Sequence, residues 1–155
     1  MKDDPVPDED HVLRYVAGRH VDYDEGGNPV VTGGGFIARP KDDNKPSYNW
    51  LECLKGTFEK RVQQVRDAAR ISYGAKAKLA KLNVGCVIQH VRENTDDDRA
   101  VTVIHDPLEE ENGHPPDPSH ALMTNVPDEN HPEGERLGDL IAECVCERFP
   151  ARTPP

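Results

Sequence analysis

The sequence predicts an α+β fold in which a small antiparallel sheet of two hairpins packs with three to four helices. Three observations carry that prediction. β-rich runs at 11–18 and 99–105 stand on either side of segments with helical apolar spacing. Fourteen prolines and twelve glycines punctuate 155 residues, so the connections are long and irregular. Only 35% of residues are hydrophobic and 5% aromatic, which allows one modest core in a chain the length of one domain.

The elements follow in order. Residues 1–10, "MKDDPVPDED", are acidic and proline-bearing and are expected to be disordered. "HVLRYVAG" is a strand, "DEGGNP" a turn and "GGGFIARP" a second strand stopped by Pro40, giving a hairpin over 11–39. Ser47 is expected to cap a short helix carrying Trp50, Leu51 and Leu54. Thr57 caps a longer one, whose Phe58, Val62, Val65 and Ala69 share a face before Gly74. Two further short helical segments are expected in "AKAKLAKLNVGCVIQHV", the second capped by Asn83. "RAVTVIH" (Arg99 to His105) and "HALMTNV" (His120 to Val126) form the second hairpin. Leu137, Leu140, Ile141, Cys144, Val145 and Phe149 then line a last helix over 135–149, and residues 151–155 are an unstructured tail. Residues 11–150 are thus expected to form one α+β domain.

The formal charge of −10 and the mean hydropathy of −0.78 argue against a general nucleic-acid or anionic-membrane binder. No apolar stretch approaches the roughly 18 residues that span a bilayer. No apolar targeting segment opens the chain, and a cytoplasmic location is expected by default. Cys53, Cys86, Cys144 and Cys146 contain no C-x-x-C pair, so they read as reduced thiols rather than a structural zinc site.

"DHVLRYV", "SYNWLECL", "LNVGCVIQHV", "HDPL" and "PSHALMTNVP" together resemble a family of short uncharacterised bacterial proteins, over about residues 10–150. The resemblance implies a bacterial cytosolic protein and brings no activity or site residues with it.

Four constellations could carry chemistry. Between Lys55 and Lys81, eight basic residues face two acidic ones, giving +6 against −16 in the remainder. Lys60, Arg61, Arg66 and Arg70 of this run are candidates for docking a larger protein partner. Nucleic acid is a partner the run admits and the net charge disfavours. A solvated helix face explains the same run without any partner. Cys86 follows Gly85 at a helix start with His90 one turn on, the spacing of a nucleophile and base, although a small cysteine there also suits packing. Trp50 and Arg14 are candidate binding residues, Trp50 more simply as a core anchor and Arg14 as the partner of Glu52. Finally, if the second hairpin pairs His105 directly with His120, the two imidazoles share one face at its mouth. Asp106, or His11 or Arg14 from the first strand, is expected to complete a catalytic or metal site there, against the simpler reading of histidines bonded to nearby carbonyls. "TGGGF" lacks the ending of a P-loop, and neither G-x-S-x-G nor H-E-x-x-H occurs.

The leading expectation is a binding or accessory module, without a cofactor, that docks to a larger protein in a multi-component bacterial system. The alternative is a small hydrolase or nuclease-like enzyme using His105 and His120, with a divalent metal implied only in that case.

Overall fold

The computed structural model describes residues 1–40, 45–127 and 130–153. Among the described residues, eight strands and three helices form an α+β fold. The strands are β1 (His11–Val16), β2 (Val21–Tyr23), β3 (Pro29–Val31), β4 (Ser47–Trp50), β5 (Lys78–Asn83), β6 (Thr102–His105), β7 (His120–Thr124) and β8 (Val145–Pro150). The helices are α1 (Phe58–Ala68), α2 (Val84–Glu93) and α3 (Gly134–Ala142). Six strands make one antiparallel sheet in the order β6-β7-β4-β1-β5-β8, and β2-β3 is a separate ribbon. The sheet is therefore larger than the expected pair of hairpins.

Strand alternation divides the core. Val12, Val16, Tyr48, Ala80 and Leu82 face α2 and α3, packing on Val87, Val91, Leu137, Leu140 and Ile141. Leu13 and Leu79 face the other way, against Val62 and Val65 of α1. Covering both faces explains why β5 reads as a helix in the sequence. A strand buried on both sides loses its polar alternation, and Leu79 and Leu82 imitate helical spacing among alanines and lysines. Pairing with β1 and β8 overrides that local preference.

The last predicted helix ends early for a related reason. α3 carries Leu137, Leu140 and Ile141 on its buried face, as expected, and stops at Ala142. Val145 and Phe149 lie instead on β8, which pairs with β5 and contributes one side chain to each half of the core. At the other end, "SYNW" is a strand and not a helix, because Tyr48 and Trp50 favour the pleated surface between β1 and β7. Ser47 consequently caps nothing, and only the single turn Leu51–Cys53 is helical there.

The expected 11–39 hairpin does not form. β1 pairs with β4 and β5, and the "DEGGNP" turn closes the β2-β3 ribbon, where Asp24 Oδ1 accepts from the Gly26 and Asn28 amides at 2.9 Å each. "GGGF" is a 3-10 turn wedged against α3. Residues 3–6 lie along β6: the Val6 amide donates to the Val103 carbonyl at 2.8 Å, and the His105 amide to the Asp4 carbonyl at 2.8 Å. Val6 is buried, so this segment covers the outer edge of β6. Ala151 is also buried, and Arg152 donates to the Tyr73 carbonyl. Among the described residues, no helix is long and apolar enough to cross a membrane.

Candidate functional site

β6 and β7 form the expected hairpin with a register that differs by one residue. His105 pairs with Ala121, and β4 places Asn49 opposite His120. A one-residue slip sends a side chain to the other face. His105 therefore lies on the α2/α3 side with Ala121 and Met123, and His120 lies on the α1 side with Asn49. The proposed shared site of His105 and His120 is not assembled. Among the described residues, no group of three His, Cys, Asp or Glu side chains is placed to hold a metal.

His105 is held as a strut. Its Nε2–H donates to the Pro118 carbonyl at 2.6 Å, its ring meets Trp50 edge-on at 5.1 Å, and Nδ1 lies 3.5 Å from the terminal amine. Trp50 in turn donates through Nε1 to Asp10 Oδ2 at 2.8 Å. Both are anchoring contacts.

His120 and Asp106 do meet, together with a residue that the sequence did not single out for chemistry. His120 Nδ1 lies 2.9 Å from the Asp106 carbonyl oxygen and 3.1 Å from Asp106 Oδ2. Both oxygens only accept, so Nδ1 carries the hydrogen. In the neutral ring this leaves Nε2 as an acceptor, and Ser47 Oγ lies 3.1 Å from it. Lys2 Nζ donates to Asp106 Oδ1 at 2.7 Å. Partial burial opposes ionisation of Asp106, but the Lys2 and His120 contacts prevail and hold its pKa below the usual value.

Ser47 and His120 border a cleft of about 450 Å³. Its described lining carries Arg14, Arg19, Arg39 and Arg70 with a single carboxylate, Asp117. That carboxylate is already engaged: Asn49 Nδ2 donates to it at 3.0 and 3.2 Å, and Ser119 Oγ at 3.0 Å. Arg14 donates from Nε to the Gly35 carbonyl at 3.0 Å and from Nη1 to the Ser47 carbonyl at 2.9 Å. Its guanidinium lies 5.6 Å from the Tyr48 ring centroid. The expected Arg14–Glu52 pair is absent from this arrangement. Glu52 instead accepts from the His11 amide and ring at 2.7 and 2.8 Å. Arg70 is bonded to the Glu109 carbonyl and lies 3.5 Å from Glu111, while its Nε is buried without a partner. Arg19 and Arg39 make no ion pair among the described residues. His20, also on the cleft, has its pKa lowered by burial and by Arg19, Arg39 and Arg14. Tyr15 and Tyr73 stack at 4.7 Å along one wall, where burial pushes the Tyr73 phenol up to about 12.

The basic run from Lys55 to Lys81 is dispersed rather than gathered into one face. Arg66 ties α1 to the end of β8 through the carbonyls of Ala151 at 3.0 Å and Pro150 at 2.7 Å. Lys81 pairs with Glu147 at 3.3 Å, and Arg61 has a buried Nε without a partner. Lys60 is exposed on α1, so of the four docking candidates only Arg70 reaches the cleft. Asn83 caps α2 as expected, its Oδ1 accepting from the Cys86 amide at 2.8 Å. His90 is committed elsewhere, to Glu143 at 2.6 Å and to Asn94 at 3.2 Å, and is not Cys86's base.

The missed residues are Ser47, Arg19, His20 and Arg39. Arg14, Arg19, His20 and Arg39 are spread over 26 residues that also carry Asp22, Asp24 and Glu25, so no basic cluster shows in the sequence. Comparison with protein-family models, curated proteins and solved structures finds no match to this chain, so its site is defined by this geometry alone.

Proposed function

We propose that the protein is a small binding module that docks to a larger protein partner by taking an acidic segment of that partner into the arginine-lined cleft. The observation that carries this reading is the charge imbalance of the cleft within a chain of net charge −10: among the described residues, four guanidiniums line it against one carboxylate that is already hydrogen-bonded. Like charges gathered in a concave, partly desolvated site repel one another until an anion enters, and planar guanidiniums match carboxylates in pairs. The stacked tyrosines offer an apolar wall for the aliphatic part of a glutamate or aspartate chain. The net charge of −10 opposes long polyanions such as nucleic acid more than a short acidic stretch that fits the cleft.

The test is fluorescence anisotropy of a labelled octaglutamate peptide at low salt. Wild-type protein should bind, and the Arg19→Glu/Arg39→Glu variant should bind at least about tenfold more weakly with a shallower salt dependence. Equal affinity of both proteins would remove the reading. Duplex DNA binding as tightly as the peptide would replace the protein partner with nucleic acid.

A further inference from the structure

We propose that Ser47, His120 and Asp106 form a hydrolytic relay at the rim of the cleft, with Ser47 as nucleophile, His120 as general base and Asp106 as the positioning residue, and that its substrate is an ester bearing an anionic group. The reactivity of Ser47 stands on the relay's own geometry. Only the anionic character of the substrate rests on the reading of the cleft given above.

The fold builds the relay from three strands. Ser47 pairs with Leu122 and Asn49 with His120 across the β4-β7 ladder, so Ser47 and His120 project from one face. Asp106 immediately follows β6, and its amide donates to the His120 carbonyl at 2.8 Å while His120 Nδ1 contacts the Asp106 carbonyl at 2.9 Å. These reciprocal contacts fix the ring before any substrate arrives. Lys2 occupies Asp106 Oδ1, which leaves Oδ2 to the imidazole at 3.1 Å. The result is the tautomer a general base needs, with the hydroxyl of Ser47 within 3.1 Å of the free ring nitrogen.

In the reaction, Ser47 Oγ attacks the ester carbonyl carbon and His120 Nε2 takes the hydroxyl proton. The tetrahedral intermediate collapses by breaking the carbon–oxygen bond to the alcohol, which leaves with the proton returned by His120. Water then attacks the acyl-serine, again giving a proton to His120. Breaking the acyl–Oγ bond releases the carboxylic acid, and that proton restores the serine. Arg14, bonded to the Ser47 carbonyl at 2.9 Å, fixes the main chain that carries the nucleophile.

The experiment uses the full chain with a fluorophosphonate probe, followed by intact mass and peptide mapping. Wild-type protein should give one adduct, on Ser47, with loss of fluoride. The adduct should be absent from Ser47→Ala and form at least about 100-fold more slowly in His120→Ala. Asp106→Asn should slow labelling at least about tenfold with the fold intact, and Asp106→Glu should recover part of the rate, because a carboxylate there holds the ring in its proton-accepting tautomer. A thermal melt accompanies each variant, with His120→Asn replacing His120→Ala if the latter unfolds. An unlabelled wild type, labelling unaffected in a folded His120 variant, or labelling unslowed in Asp106→Asn would each overturn the relay. For the substrate class, mono-p-nitrophenyl glutarate should be hydrolysed at least about tenfold more efficiently than p-nitrophenyl acetate, and Arg19→Glu/Arg39→Glu should abolish that preference. Hydrolysis of both esters at equal efficiency would overturn the anionic substrate while the adduct still marks Ser47.

Discussion

His20 shows how tightly single residues define this cleft. Its ring lies against the glycine turn, where a Cβ on Gly34 would come within 2.5 Å of Nδ1, so the second glycine of "GGG" is what lets the imidazole lie there. Burial and three neighbouring guanidiniums lower its pKa from 6.5. In the unfolded chain the ring regains its ordinary affinity for protons, so the unfolded state binds more protons below about pH 6.5. His20 therefore costs the folded protein stability as pH falls through that range and costs nothing above it. Urea unfolding at pH 7.5 and pH 5.5 should show a smaller loss of stability on acidification in His20→Asn than in wild type. An identical loss in both proteins would remove His20 from the pH response. Asp106 acts in a separate window: its lowered folded-state pKa gives stability that is present above its ordinary value of 3.8 and lost in stronger acid.

Among the elements, α3 is held to the rest of the molecule by the closest backbone approach in this region. A Cβ on Gly138 would meet the Gly33 carbonyl at 2.5 Å, and one on Gly33 would meet the Asp139 amide at 2.7 Å. Gly138→Ala should therefore destabilise by at least about 1 kcal/mol in urea unfolding, although alanine is the better helix former by about that amount. A stabilised variant would show that the contact yields freely. Ile141, fully buried on the same helix, should cost about 2–5 kcal/mol as Ile141→Ala; a change below 1 kcal/mol would place it outside the packed core. The elements readable from sequence were those with a cap or a one-sided pattern: α1 after Thr57, α2 after Asn83, the apolar face of α3, and the β6-β7 pair. β5 and β8 were not readable, since their identity depends on partners about 65 residues apart in the chain. The same limit applies to the relay. His120 and Asp106 stood out as residue types in a loop, whereas Ser47 comes to them only through the β4-β7 pairing. A register error of one residue put His105 and His120 on one face, whereas they lie on opposite faces.

Over the whole molecule, the chain uses its first residues to close the sheet. Val6 is 3% exposed and its segment bonds to β6, while Lys2 reaches Asp106 at 2.7 Å, so the acidic N-terminus both covers an edge and braces the relay. Val6→Asp should destabilise the protein by at least about 2 kcal/mol and promote self-association through the uncovered edge, as read by urea unfolding and light scattering. A monomer of unchanged stability would show that the segment is not a structural part of the sheet. The same economy of charge sets the cleft apart: an acidic molecule with four of its eleven arginines on one concavity. The most direct measurement of that claim is an NMR titration with the octaglutamate peptide, following side-chain Nε–H signals of the arginines and the ring of His20. Saturable shifts are expected at Arg70, Arg19, Arg39 and His20, with Arg61 and Arg66 of α1 unchanged; shifts confined to Arg61 and Arg66, or none at all, would contradict the claim.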